Sequence, residues 1–236
     1  MTFVLLHPLG ADRSFWDPVV ARLAGATTTA LDLPGHGAAP LADEQGIAAY
    51  SAPVIDYVDG IGSPATIVGI SLGGLVAQYI GAVRPDLVDA VVLVDTVPVY
   101  PDPMRAMWRD RAATARTDGV GSLVAPMVEM WFSPAFAQEN PPAVVSATET
   151  FAATDPEGYA RAADLLADVD LRDHFALWKV PSVVVCGEDD TPPFRDGAQW
   201  LAEATNAGSV HLLPGKHACV VESAERFAAL LVGVRQ

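Results

Sequence analysis

The architecture of this chain follows from residues 65–74, which read ATIVGISLGG. Residues 65–70 form an apolar run rich in isoleucine and valine, which is typical of a parallel strand buried on both faces. Residues 72–83 then carry apolar side chains at helical spacing. Ser71 stands between the two segments, with Gly69 before it and Gly73 after it. The sequence therefore predicts a strand, an abrupt turn at Ser71 and a helix.

The same alternation continues on both sides of this stretch. The sequence predicts strands at residues 3–7, 27–32, 65–70, 91–95, 182–187 and 209–213, and helices at residues 16–23, 47–58, 72–83, 197–204 and 222–232. Strands that alternate with helices indicate the α/β class, with a doubly wound and mostly parallel sheet.

Residues 100–178 break this alternation. They contain no clear strand, while Ala, Arg, Asp, Trp and Met recur at helical spacing. A segment of this length is too long for a connecting loop, so it predicts a small helical cap inserted into a core of residues 1–99 and 179–236. A cap at this point of the chain would lie above the carboxyl ends of the strands, where open α/β sheets bind ligands.

The turn at Ser71 predicts a nucleophile. Gly69-Ile70-Ser71-Leu72-Gly73 matches the G-x-S-x-G pattern in the required strand–turn–helix context. The N–H of Leu72 would stand at a helix start, where it favours a negative oxygen. A second donor for this oxyanion is expected from the loop after the first strand, and Leu9 is our candidate.

His217 is the predicted general base, because it is the last of five histidines and lies in a loop between a strand and the final helix. Three carboxylates, Glu188, Asp189 and Asp190, follow the strand at residues 182–187. We choose Asp190 as the residue that holds the imidazole and keep Asp189 as the second candidate. Asp95 is a more distant alternative.

The other histidines predict structural roles. We expect His7 to hold its loop, His36 to belong to a tight turn and His211 to pack within a strand. His174 lies in the inserted segment with no clear partner. These spacings predict no metal site, and the proposed chemistry needs no cofactor.

Composition narrows the range of partners. The net charge of −15 would repel nucleic acid and anionic lipid surfaces. No apolar run reaches the roughly 18–20 residues of a membrane-spanning helix, and residues 1–7 lack the features of a secretory signal. We therefore expect a cytoplasmic protein. Cys186 and Cys219 lie in apolar stretches and predict buried free thiols.

Several motifs together resemble the α/β-hydrolase superfamily over essentially the whole chain. They are the Ser71 turn, Asp190 and His217 with their neighbours, and the segments His7-Pro8-Leu9-Gly10 and Asp32-Leu33-Pro34-Gly35-His36-Gly37. Within the superfamily the chain is most similar to 3-oxoadipate enol-lactonases, through Trp131-Phe132, Gly158-Tyr159-Ala160, Asp170-Leu171-Arg172 and Thr191-Pro192-Pro193. It departs from the usual pattern in lacking the first hairpin of the sheet, which leaves a bare edge, and in having Pro8 where Gly or Ser is commoner.

This resemblance implies a serine hydrolase that cleaves a small ester or lactone, such as 3-oxoadipate enol-lactone, through an acyl-enzyme. Trp108, Met130, Trp131 and Phe132 are candidates for the cap side of the substrate pocket, or else pack the cap on itself. Because an enol-lactone of this kind carries a carboxylate, the pocket should also hold a cation. The sequence does not distinguish among the candidates Arg105, Arg109, Arg111, Arg161 and Arg172.

Three alternatives stay open. The chain could be a carboxylesterase, thioesterase or carbon–carbon bond hydrolase of the same fold, a cofactor-free lyase or perhydrolase with the same triad, or a ligand receptor with negligible turnover. Dehalogenases and epoxide hydrolases are disfavoured, because they resemble this fold but carry Asp at the position of Ser71.

Overall fold

A computed structural model describes residues 2–233 of the chain. Within these residues the strands form one six-stranded sheet in the order β2-β1-β3-β4-β5-β6, and every neighbouring pair is parallel. The strands are β1 Thr2–Leu6, β2 Thr27–Leu31, β3 Ala65–Ile70, β4 Val88–Val94, β5 Ser182–Gly187 and β6 Val210–Leu213. This arrangement confirms the predicted α/β class and the doubly wound sheet.

Helices lie between the strands and after the last one. They are α1 Asp17–Val20, α2 Ile47–Ile61, α3 Leu72–Val83, α4 Asp102–Asp118, α5 Val124–Trp131, α6 Pro134–Glu139, α7 Pro141–Ala153, α8 Pro156–Asp168, α9 Pro192–Ala204, α10 Cys219–Glu222 and α11 Ala224–Gly233. Within the described part of the chain, no helix combines the length and the apolar character needed to cross a membrane.

The sheet separates two apolar layers. On β1, Val4 and Leu6 belong to the core that contains α2 and α3, whereas Phe3 and Leu5 face the opposite layer with Trp16. Successive side chains of a strand point to opposite faces, so a strand covered on both sides must be apolar throughout. This requirement explains the continuous apolar runs in the sequence.

Helices α4 to α8 follow one another between β4 and β5. Residues 100–178 are all described, and β pairing in them is limited to an isolated antiparallel bridge between Asp170 and Val99. The helical character expected from the sequence of this segment is therefore present, and its chain enters and leaves at the carboxyl end of β4 and the amino end of β5.

Three sequence-based expectations differ from the structure. His211 is exposed rather than packed, because β6 is an edge strand with one uncovered side. The helix expected at residues 197–204 begins earlier, at Pro192, because proline is well suited to the first turn of a helix. The helix expected at residues 16–23 is a short 3₁₀ turn followed by the single turn α1.

Candidate active site

Ser71 occupies the turn between β3 and α3 in a strained backbone conformation. Its φ of 53° lies in the left-handed region, which non-glycine residues adopt at a cost of about 1–3 kcal/mol. Hydrogen bonds hold this geometry, since the Ser71 N–H donates to the Val94 carbonyl at 3.0 Å. The hydroxyl of Thr96 donates to the Ser71 carbonyl at 2.9 Å. The serine is thus fixed at the carboxyl end of the central strands.

The glycines on each side of Ser71 permit two close backbone approaches. A Cβ atom at Gly69 would collide with the backbone of Gly73, and a Cβ atom at Gly73 would collide with the carbonyl group of Leu6. The spacing of the pentapeptide is therefore a packing requirement of the turn. It brings α3 against β1 and β3, while Ser71 itself is buried and borders a cavity.

Replacing Gly69 by alanine should lower the free energy of unfolding by about 3 kcal/mol, because the rigid backbone of Gly73 must move to admit the methyl group. Urea denaturation would measure the change. Gly60→Ala is a matched control, because a Cβ at this helical glycine meets open space and should stabilise the protein by up to about 1 kcal/mol. Equal destabilisation by the two substitutions would contradict the packing argument.

His217 and Asp190 form a buried pair. The Nδ1 atom of His217 lies 2.8 Å from Oδ2 of Asp190. The other carboxylate oxygen of Asp190 accepts a hydrogen bond from the Thr191 N–H at 2.6 Å. The side chain of His217 is also in contact with Phe194, with 4.3 Å between the ring centroids. The imidazole is therefore held by a carboxylate at one nitrogen and by an aromatic ring beside it.

Two loops meet to form this pair. The Glu188 N–H donates to the Leu213 carbonyl at 2.8 Å, and the Asp189 N–H donates to the Gly215 carbonyl at 3.0 Å. Both Glu188 and Asp189 are exposed, whereas Asp190 is buried. Of the three neighbouring carboxylates, Asp190 is thus the one that the structure brings to His217.

Opposing effects act on the pKa of His217. Burial is the largest single effect and lowers the pKa, but the raising effects, led by the charge and hydrogen bond of Asp190, together outweigh it, and the pKa lies above its ordinary value of 6.5. The nearby carboxyl group of Asp95 also raises the pKa, whereas Arg111 lowers it. The surroundings of His217 therefore favour the protonated form of its imidazole ring.

Asp95 is a second buried carboxyl group next to this pair. Its two oxygens accept hydrogen bonds from the Gly187 N–H at 2.8 Å and from the Cys219 thiol at 3.0 Å. Burial, followed by the charge of Asp190, raises the pKa of Asp95 to about 8. The pKa of Asp95 thus lies well above the ordinary carboxyl value, and its hydrogen bonds join the ends of β4 and β5 rather than the imidazole.

The loop after β1 is held by a buried histidine. His7 accepts a hydrogen bond from the Leu33 N–H at Nε2, over 2.9 Å, so its Nδ1 carries the proton and donates to the Pro8 carbonyl at 2.8 Å. Leu9 follows Pro8 and borders a cavity that Ser71 also lines. Leu72 is the first residue of α3, so its N–H has no acceptor within the helix.

A small cavity brings several predicted residues together. Its lining includes Leu9, Ser71, Trp108, Met130, Trp131 and His217. Phe132 lies outside it and borders a neighbouring surface groove with Phe15 and Ala147. The lining also includes Arg111, which is one of the five candidate cations, and Met127, Phe151 and Tyr159, which the sequence analysis did not assign to the pocket.

The loop that carries His217 is tied to helix α5. The Ala218 N–H donates to the Trp131 carbonyl at 2.9 Å, and the Lys216 ammonium group donates to the Glu129 carbonyl. Because α5 also supplies Met127, Met130 and Trp131 to the cavity, one helix lines the cavity and supports the histidine loop.

Tyr100 is a further residue next to the serine that the sequence did not reveal. Burial raises the pKa of its phenol, and the adjacent Ser71 hydroxyl opposes this rise. The Tyr100 ring packs edge-on against Trp108 and Phe194. A buried aromatic residue in the loop between β4 and α4 has no motif of its own, so its position depends on the fold.

Both the fold and these residues define a class of protein. Residues 3–230 match the profile of the alpha/beta hydrolase family, so the chain belongs to that family and is a hydrolase by fold. This confirms the resemblance stated from the sequence.

Two relatives and one solved structure show which members of the family the chain is similar to. The chain is 24% identical over 233 residues to 3-oxoadipate enol-lactonase 1 of Acinetobacter baylyi, covering 98% of this chain and 86% of the relative. It is 30% identical over 256 residues to a pimeloyl-[acyl-carrier protein] methyl ester esterase of Neisseria meningitidis, covering 96% and 90%. Among solved structures, the enol-lactonase from Burkholderia xenovorans superposes with a TM-score of 0.91 at 28% identity, covering 99% of this chain and 90% of that one.

Proposed function

We propose that the chain is a serine hydrolase that cleaves a small carboxylic ester or lactone through an acyl-enzyme. The observation that carries this proposal is the shared cavity of Ser71 and His217, in which the serine stands on a strained turn and the histidine is held by the buried Asp190. Nucleophile, base and orienting acid in this arrangement are the components of acyl-transfer catalysis.

In the proposed mechanism, His217 takes the proton of the Ser71 hydroxyl as the serine oxygen attacks the carbonyl carbon. The backbone N–H groups of Leu9 and Leu72 donate to the oxyanion of the tetrahedral intermediate. His217 then gives the proton to the leaving oxygen, which stays tethered to the acyl group when the substrate is a lactone. Water, activated by the same histidine, attacks the acyl-enzyme and releases the acid.

The cavity favours a small substrate. The cavity is small, and its lining is mostly apolar and aromatic, with Trp108, Met127, Met130 and Phe151 among its members. Enol-lactonases are among the relatives and structural neighbours of the chain. We therefore take an enol-lactone, such as 3-oxoadipate enol-lactone, as the first substrate to test.

We also propose that residues 100–178 act as a cap on a core of residues 1–99 and 179–236. Trp108, Met130 and Trp131 from this segment line the cavity together with Ser71 and His217. Hydrogen bonds to Trp131 and Glu129 attach the segment to the histidine loop. In this proposal the cap excludes water and shapes the substrate pocket.

The pH dependence of kcat/KM should reflect His217. The base must be neutral to accept the serine proton, and the pKa of His217 is raised above 6.5 by Asp190. We therefore expect kcat/KM to decline as the pH falls through a value above 6.5. A pH–rate profile from pH 5 to 9 would measure this limb, and a midpoint below 6.5 would contradict the assigned pair.

A substrate panel tests the proposed reaction. It should contain an enol-lactone, a saturated lactone, small methyl and aryl esters, a thioester and a β-diketone. We expect kcat/KM to be highest for the lactones or small esters. Preferential cleavage of the diketone or thioester would show a different reaction of the same fold, and no turnover of any member would contradict the proposal.

A further inference from the structure

Arg111 differs from its neighbours in the way its charge is balanced. The other arginines of residues 100–178 donate to oxygen atoms: Arg105 to the Ala167 carbonyl at 2.6 Å, Arg109 to Asp168 at 2.7 Å, Arg116 to Glu157 and Asp164 at 2.9 Å, Arg161 to Glu157 at 3.1 Å, and Arg172 to Asp170 at 2.6 Å. Within residues 2–233, Arg111 forms no ion pair with an acidic side chain. In a chain with a net charge of −15, such an arginine is conspicuous.

The position of Arg111 links this charge to the cavity at Ser71. Arg111 follows Trp108 by three residues on α4, so both side chains lie on one side of the helix. The guanidinium carbon is 5.1 Å from the centre of the Trp108 ring. Both residues line the cavity that contains Ser71 and His217.

Two other polar groups lie beside this cavity. The indole N–H of Trp108 is buried and has no hydrogen-bond partner among the described residues. Burial raises the pKa of the Tyr159 phenol, and the charge of Arg111 and its hydrogen bond with the hydroxyl oppose this rise. Buried polar groups are usually hydrogen-bonded, so an unpaired donor beside a cavity indicates a ligand that completes it.

We propose that Arg111, Trp108 and Tyr159 form a subsite for a carboxylate carried by the substrate, separate from the carbonyl group that Ser71 attacks. Guanidinium and indole groups are donors only, so the set is complementary to an acceptor with negative charge. A planar guanidinium matches the two oxygens of a carboxylate, and one positive charge balances one negative charge. This inference rests on the proposed function, because the carboxylate belongs to the ester or lactone that is cleaved.

Binding of a simple carboxylate tests the subsite without catalysis. Pentanoate and its neutral amide, pentanamide, would be titrated into the protein by calorimetry. We expect pentanoate to bind more tightly than pentanamide to the wild-type protein and to Ser71→Ala, and Arg111→Gln to lose this preference. Equal binding of pentanoate by Arg111→Gln, or tighter binding of inorganic phosphate than of pentanoate to the wild-type protein, would overturn the proposal.

Selectivity between two esters gives the second readout. For 4-nitrophenyl hemisuccinate against 4-nitrophenyl butyrate, Arg111→Gln should lower the ratio of kcat/KM values by about 10- to 100-fold, the range for loss of a charged hydrogen bond. The change should appear mainly in KM for the hemisuccinate. Arg111→Lys should restore part of the ratio, because it keeps the charge and loses the two-pronged geometry.

Arg109→Gln is the matched control, because Arg109 lies on the same helix and pairs with Asp168 at the surface. It should leave the ratio unchanged. If Arg111→Gln lowers kcat/KM for both esters equally, the carboxylate subsite is wrong while the Ser71 chemistry stands. If Ser71→Ala still cleaves both esters, the proposed function fails, whereas the titration of pentanoate continues to decide the subsite.

Discussion

Ser71→Ala is expected to lower kcat for ester or lactone hydrolysis by roughly 10⁶-fold, the effect of removing the nucleophile from a comparable triad. The loss follows from chemistry alone, because no other group takes the place of the serine oxygen in the acyl-enzyme. Alanine keeps the Cβ atom and requires the same left-handed backbone conformation as Ser71. The variant should therefore fold normally, with an unfolding midpoint close to that of the wild-type protein.

Initial rates with the best substrate of the panel, together with thermal unfolding followed by circular dichroism, would measure both effects. Ser122→Ala is the matched control, because this exposed hydroxyl lies in the helical segment and donates to the Gly119 carbonyl at 2.7 Å. It should keep wild-type activity. Retention of more than about one hundredth of the activity by Ser71→Ala would contradict its role as nucleophile, since the expected loss is far larger.

Asp190→Asn is expected to lower kcat by roughly 10⁴-fold, as the corresponding change does in a comparable triad. The structure supplies the reason. Because the Thr191 N–H donates to Oδ1 of Asp190, the oxygen of the new amide should stay there and its NH₂ group should face His217. The imidazole would then carry its proton on Nε2, where it cannot accept the proton of Ser71.

The pH–rate profile distinguishes this positioning role from a loss of structure. Removal of the negative charge lowers the pKa of His217, so the remaining activity should extend to lower pH. Asp189→Asn, at an exposed side chain, should keep wild-type kcat, and Asp95→Asn should cost less than Asp190→Asn because Asp95 bonds to Gly187 and Cys219. A larger loss in either control would assign the acid to that residue instead.

The fold was predictable because its signals are local. A parallel strand covered on both faces needs an uninterrupted apolar run, and the segment at residues 65–70 has one. The turn at Ser71 was also predictable. A side chain at Gly69 would clash with Gly73, four residues away, and a side chain at Gly73 would clash with Leu6 of the neighbouring strand β1, so both positions require glycine.

The partner of His217 was only partly predictable. The expected order of serine, acid and histidine along the chain predicted a carboxylate after β5, but Glu188, Asp189 and Asp190 all lie at that place. The choice depends on which side chain turns inward, and the hydrogen bond from Asp189 N–H to Gly215 fixes the loop so that Asp190 is buried. Such a contact between two loops leaves no trace in a single sequence.

The lining of the cavity was the least predictable part. Helical periodicity marks the buried side of a helix but does not tell a cavity from a neighbouring helix. Phe132 and Trp131 are adjacent in sequence and equally buried, yet Trp131 borders the cavity at Ser71 and Phe132 does not. In the same way, Arg111 could not be told from the paired arginines around it until their partners were known.

The most direct test is the capture of the acyl-enzyme. The protein would be mixed with 4-nitrophenyl acetate, quenched with acid during the first turnover, digested and analysed by mass spectrometry. We predict a burst of one nitrophenolate per protein molecule and an acetyl group on the peptide that contains Ser71, with neither in Ser71→Ala. Hydrolysis without this adduct, an adduct on another residue, or no burst at all would contradict the account.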